Sequence, residues 1–100
     1  MAFYTYIVAS RRNGTIYIGS TDDIVKRVFE HKQHVRPGFT SRYDCTILVW
    51  YETYEIHEGA FRRERRLKEW RRSWKLMLIE ARNPTWRDLY DDLVAGLPAP

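Results

Sequence analysis

Cysteine is almost missing from this 100-residue chain, which has only Cys45. One thiol makes no intrachain disulfide, so a disulfide scaffold is excluded and the fold must be held by its core. A reduced, cytoplasmic setting is expected. Cys45 opens an apolar run that continues to Trp50, and it reads as a buried strand residue. Long apolar stretches are lacking too. None approaches the ~18 residues that span a bilayer, and the N-terminus has neither the basic nor the apolar region of a signal peptide. The chain is therefore expected to be soluble, with no membrane partner. Repeats, linkers and low-complexity tracts are also missing.

What is present suits one small domain. The hydrophobic fraction is 44% and the aromatic fraction 15%, with four Trp and seven Tyr supplying much of the core volume. A domain of this size buries a modest share of its surface and should be marginally stable.

Acidic residues are scarce in one place. Residues 62–75 hold eight of the seventeen basic residues but only two of the thirteen acidic ones, which leaves nine basic against eleven acidic elsewhere. A basic block in a near-neutral background suggests a polyanionic partner. It also fits an ordinary solvated helix face.

The apolar-aromatic run Phe3 to Ala9 predicts a strand. Asn13-Gly14 then signals a hairpin turn, because both residues tolerate positive φ, and Thr15 to Ser20 is the return strand. Thr21 or Asp22 is expected to cap a helix running from about Asp23 to His31, with Ile24, Val28 and Phe29 candidates for its core face. Gln33 to Arg42, with Pro37-Gly38, reads as a loop. Cys45 to Tyr54 predicts a third strand. Glu55 to about Trp70 predicts a helix with thin apolar positions: Ile56, Ala60, Phe61, Leu67 and Trp70. Arg72 to Arg82 predicts another, with Trp74, Met77, Leu78 and Ala81 at helical spacing, ended by Asn83-Pro84. Thr85 is expected to cap a last helix that reaches about Val94. The expected fold is α/β: a three-stranded, mainly antiparallel sheet packed with three to four helices.

Hairpin parity bears on chemistry. Side chains alternate along a strand, so Tyr6 and Tyr17 share a face only if the loop has an even number of residues. With Arg11 to Gly14 as a four-residue loop, Tyr6 faces Gly19, and Tyr17 lies two positions away, about 7 Å along the strand. Strand tyrosines are commonly packing residues. Gly19 is harder to read that way, since a strand glycine often marks close approach by another group.

These residues carry a resemblance. Tyr4-Thr5-Tyr6, Tyr17-Ile18-Gly19, Arg27 and His31 about ten residues on, then Glu64 and Asn83, stand in an order and spacing that resembles the GIY-YIG nuclease superfamily. The likeness is greatest to small single-domain bacterial members similar to the UvrC N-terminal module. It covers residues 3 to 90, so the domain is expected over 1–95, with 96–100 a flexible tail. The first motif keeps only its tyrosine, and no counterpart of the appended DNA-recognition modules of homing and repair relatives is expected.

The resemblance implies a metal-dependent endonuclease that hydrolyses phosphodiester bonds with little sequence specificity. Nucleic acid, with DNA the expected polymer, is then the partner; one Mg²⁺ or Mn²⁺ ion is the cofactor. It also implies roles. Glu64 is the metal ligand, and a lone carboxylate suits one hydrated Mg²⁺-like ion; the residue also suits an i,i+4 pair with Lys68. Arg27 and His31 share one helix face. Arg27 has the fork geometry of a phosphate clamp, and His31 fits a proton shuttle, a support for a phenol, or a helix C-terminal cap. The resemblance favours Tyr6 as general base and Tyr17 as supporting donor. A phenol near pKa 10 is a poor base unless neighbouring cations lower it.

Gly19 and Asn83 are supporting candidates, Asn83 either as an orienting group near Glu64 or as a plain helix stop. Arg62, Arg63, Arg65, Arg66 and Lys68 would hold the nucleic-acid backbone, which gives affinity without sequence information. Trp70 and Trp74 suit core packing or base stacking. The alternative function is a non-catalytic nucleic-acid-binding module that kept the fold. A monomer is expected, and a protein partner for targeting is compatible with the lack of a recognition module.

Overall fold

The computed structural model describes residues 1–100. Three strands, β1 (Phe3–Ala9), β2 (Ile16–Thr21) and β3 (Ile47–Tyr54), form one sheet in the order β2-β1-β3. Both pairings are antiparallel. Five helices complete the fold: α1 (Ile24–Lys32), α2 (Phe39–Arg42), α3 (His57–Glu69), α4 (Arg72–Arg82) and α5 (Tyr90–Val94). None is long and apolar enough to cross a membrane.

The first strand ends up in the middle, where it reads as five consecutive buried residues, Thr5 to Ala9. A central strand covered on both faces needs such a run rather than simple alternation. Tyr6 and Val8 point to one face and pack with Ile24 and Val28 of α1, with Cys45, Leu48 and Leu89. Ile7 and Ala9 point to the other and pack with Leu67 of α3, Ile79 of α4, Trp50 and Trp86. A bulge between Ile7 and Val8 shifts the register against β3.

Several local expectations need correction. The hairpin loop is the four-residue Arg11 to Gly14 alternative, closed by Ser10 N–H to the Thr15 carbonyl at 2.9 Å, but of Asn13 and Gly14 only Asn13 takes positive φ (58°). Asp23, rather than Thr21 or Asp22, caps α1, accepting from the Lys26 N–H at 3.1 Å. The stretch expected as loop contains α2, a single helical turn entered through Gly38 at φ 141°. Cys45 is buried but precedes β3, and burial pushes its thiol up to about 11. Thr85 caps nothing; Asp88 instead accepts from the N–H groups of Leu48 and Tyr90, both at 3.1 Å, tying β3 to α5. Phe29, Ile56, Phe61, Trp74, Met77 and Ala81 are exposed, and Ile79 is the buried residue of α4. The buried Ile79 lies in the second half of α4, and the first-turn Trp74 faces outward.

Candidate active site

The site is built around the outer edge of β2, where side chains from both faces of the sheet can meet. Tyr6 reaches that edge by crossing its neighbour strand. It stands opposite Gly19, and a Cβ built on Gly19 would lie 2.6 Å from the Tyr6 Oη, 2.8 Å from Cζ and 3.0 Å from Cε1. The glycine is therefore the opening through which the phenol passes. The close approach read from the strand glycine is made by Tyr6 itself.

Beyond Gly19 the phenol meets α1. Its Oη lies 2.8 Å from His31 Nε2, and His31 Nδ1 lies 3.0 Å from Thr40 Oγ1 on α2. Burial, then the nearby Tyr17, push the Tyr6 pKa well above the usual phenol range, against the opposing pull of Arg27. Burial, then Arg27, push the His31 pKa below its ordinary value. Both directions favour the neutral phenol and the neutral imidazole; in the tautomer protonated at Nδ1, the phenol donates to Nε2 and Nδ1–H donates to Thr40. The expected lowering of the Tyr6 pKa by cations is thus reversed in the protein alone, because burial outweighs Arg27.

Tyr17 stands opposite Val8, on the same sheet face as Tyr6, with its ring centroid 5.8 Å from that of His31. The imidazole lies against both phenol rings. A groove of about 170 Å³ opens over Tyr17, Arg27, Glu30, His31, Arg36 and the Pro37 to Thr40 turn. Glu30 braces Arg27 at 3.4 Å (Nε to Oε1) and stands 3.9 Å from Arg36. The groove therefore presents two guanidinium groups and an imidazole, a lining suited to an anionic ester.

Glu64 comes from α3, on the opposite face. Strand alternation turns Ser20 toward that helix, and the Ser20 hydroxyl donates to Glu64 Oε1 at 2.6 Å. Lys68, one turn on, donates to Oε2 at 2.7 Å, while its Nζ lies 5.7 Å from the Tyr17 ring centroid. Lys68 thus bridges the edge between acid and phenol. No cluster of three His, Cys, Asp or Glu side chains exists here. The local donors are hard oxygens, one carboxylate and one hydroxyl. That set fits a hydrated Mg²⁺-like ion that fills its remaining positions with water and phosphate.

The other expected residues divide. Arg65 and Arg66 are exposed and have no carboxylate partner within 4.0 Å. Arg62 pairs with Glu58 on the same helix. Arg63 is engaged internally, bonded to Glu52 at 3.0 Å and stacked 5.5 Å from the Trp70 ring. Asn83 is 2% exposed and lies away from this chemistry: its amide donates to Val49 and Arg87 carbonyls and accepts from Arg87 N–H, pinning the turn after α4 to β3. Ser20, Thr40, Arg36 and Glu30 went unnoticed in the sequence. Only Ser20 carried a signal, since alternation sets it on the face opposite Tyr17.

The fold agrees with comparison to known proteins. The family profile described as the GIY-YIG catalytic domain matches residues 2–77. The chain belongs to the GIY-YIG family. Within the curated proteins it is similar to a UPF0213 protein of Staphylococcus haemolyticus, 32% identical over 79 residues that cover 79% of this chain and 95% of the relative. A UPF0213 protein of Staphylococcus saprophyticus is 33% identical over 76 residues, covering 76% and 92%. The solution NMR structure of a UPF0213 protein from Bacillus halodurans shares the fold at TM-score 0.53 and 24% identity, covering 88% of this chain and 93% of that one.

Proposed function

We propose that this protein is a divalent-metal-dependent endonuclease that hydrolyses phosphodiester bonds, with DNA as substrate, by reading backbone and shape rather than sequence. The observation that carries the reading is the Tyr6–His31–Thr40 hydrogen-bonded chain, whose His31 and Thr40 line the groove beside Arg27, with Glu64 brought round the same strand edge. Such an edge supplies a base, an anion clamp and a metal ligand from three separate elements.

The chemistry follows from those groups. Arg27, braced by Glu30, binds a non-bridging phosphate oxygen and stabilises the charge that grows there during attack. Tyr6 Oη takes a proton from the attacking water while its own proton passes to His31 Nε2, already hydrogen-bonded to it at 2.8 Å. Thr40 keeps the imidazole in the receiving tautomer. Tyr17 orients the water or the phosphate with its hydroxyl. Glu64 would hold the ion, helped by Ser20; when bound, that ion adds positive charge at the phosphoryl and leaving oxygens.

One observation favours a second reading. Lys68 already neutralises Glu64 at 2.7 Å, as a non-catalytic nucleic-acid-binding module would require. A single experiment separates the two. Linear, supercoiled, single-stranded and branched DNA, and RNA, are incubated with wild type and Glu64→Ala in Mg²⁺ or Mn²⁺. The nuclease reading expects metal-dependent nicking that falls at least ~10²-fold in the variant, the scale of losing a group that stabilises transition-state charge. Intact substrates throughout, with salt-sensitive binding retained by both proteins, would leave the binding module.

A further inference from the structure

The end of α3 and the start of α4 carry a surface that the edge site does not use. Trp70, Trp74, Met77 and Leu78 line a shallow groove of about 320 Å³ in which every lining side chain is apolar. Trp74 is 49% exposed and Met77 68% exposed, so the groove remains open to solvent after the core is formed.

The chain segment that carries the groove is rich in cations. Within residues 62–75, Arg62, Arg63 and Lys68 pair with Glu58, Glu52 and Glu64. Arg72 donates to the carbonyls of Asn13 and Gly14 at the hairpin tip. Arg65, Arg66, Arg71 and Lys75 have no carboxylate within 4.0 Å. The Arg71 guanidinium lies 4.6 Å from the Trp74 ring centroid. Unpaired arginine beside a half-exposed indole is the pairing that holds a phosphate and a base at adjacent positions.

We infer that this surface binds a single-stranded stretch of nucleic acid, an unpaired base stacking on Trp74 and its phosphates lying along Arg66, Arg71 and Lys75. The inference deepens the proposed function and rests on its nucleic-acid reading. Charge complementarity selects the occupant, since a purely apolar partner would leave Arg66, Arg71 and Lys75 without an anion. Duplex DNA fits less well, because its base faces are already stacked and closed to an indole. Trp70 caps the helix that carries Glu64 and follows it by six residues, about 9 Å along the helix axis.

The test is binding in EDTA, without cleavage. Fluorescence anisotropy of labelled oligothymidine and of a labelled duplex is compared for wild type, Trp74→Ala, Trp74→Phe and Arg71→Ala. Trp74→Ala should weaken single-strand binding by about tenfold, the scale of one lost base stack, and leave duplex binding nearly unchanged. Trp74→Phe should restore most of the loss, and Arg71→Ala should lower the salt slope by about one. Equal effects of Trp74→Ala on both ligands, or none on either, would overturn the inference while the nuclease reading stands on its own cleavage assay. Failure of wild type to bind any nucleic acid would overturn both. Sedimentation as a dimer that Trp74→Ala returns to monomer would show that a second copy covers the groove, and would overturn it as well.

Discussion

Gly19→Ala is the smallest change that should disturb the site, and its cost can be worked from contacts. The new methyl would meet Tyr6 Oη at 2.6 Å, Cζ at 2.8 Å and Cε1 at 3.0 Å. Tyr6 is wholly buried and tied to His31, so its ring has no free direction in which to yield. Overpacking of this kind costs about 1–3 kcal/mol. For a domain of this length each kcal/mol is worth about 4–8 °C, so Tm should fall on the order of 10 °C. All three atoms belong to one side chain. In a Tyr6→Leu background, where those atoms are gone, the same glycine change should cost close to nothing. The assay is thermal and urea unfolding of the four proteins of that cycle, with a coupling energy of at least about 1 kcal/mol expected for groups in direct contact. A Gly19→Ala protein that melts with wild type, or a cost equally large in both backgrounds, would refute the reasoning.

Other outcomes follow from the same geometry. Because burial lowers the His31 pKa, the unfolded chain binds more protons than the folded one below pH 6.5, and stability should fall as pH drops from there toward the folded value. Urea melts across this window should show that slope in wild type and lose its His31 share in His31→Gln. Cleavage should likewise fall on the acid side, since protonated His31 no longer accepts the Tyr6 proton. Lys68→Met should bind Mn²⁺ more tightly by calorimetry than wild type, since an ammonium no longer competes for Glu64; weaker or equal binding counts against that role. Asn83→Ala should cost about 2–3 kcal/mol, because buried carbonyls and an N–H lose their partner. Its cleavage rate per folded molecule should match wild type, and a selective loss of rate would return Asn83 to the site.

The sheet was legible because its signals are local or follow parity. The hairpin residues, the loop length and strand alternation together place Tyr6 opposite Gly19. The reason for Gly19 was not legible, since the group it admits lies on another strand and reaches past it. α2 escaped notice because one helical turn between Pro37-Gly38 and Tyr43 has no periodicity to read. Trp74 and Met77 show the limit of helical spacing. Period identifies an apolar stripe, but contact with a second body decides whether it is covered, and on α4 only Ile79 is fully buried, with Leu76 and Leu78 packed partly against the core. The i,i+4 pair of Lys68 with Glu64 was legible in the spacing, whereas the pairing of Arg63 with Glu52 on another element was not. Composition counts charges, and only the folded chain shows which cations are already paired.

The middle position of β1 has a consequence for how the protein is made. The strand bearing Tyr6 leaves the ribosome first, yet one of its two neighbours is β3, whose last residue is Tyr54. Glu64 emerges later still, followed by Arg72, which ties the hairpin tip to the α3–α4 junction. A nascent or prematurely terminated chain therefore holds tyrosines and a guanidinium without the acid. The order of synthesis keeps the assembled edge for a chain that has been made past Glu64 and Arg72.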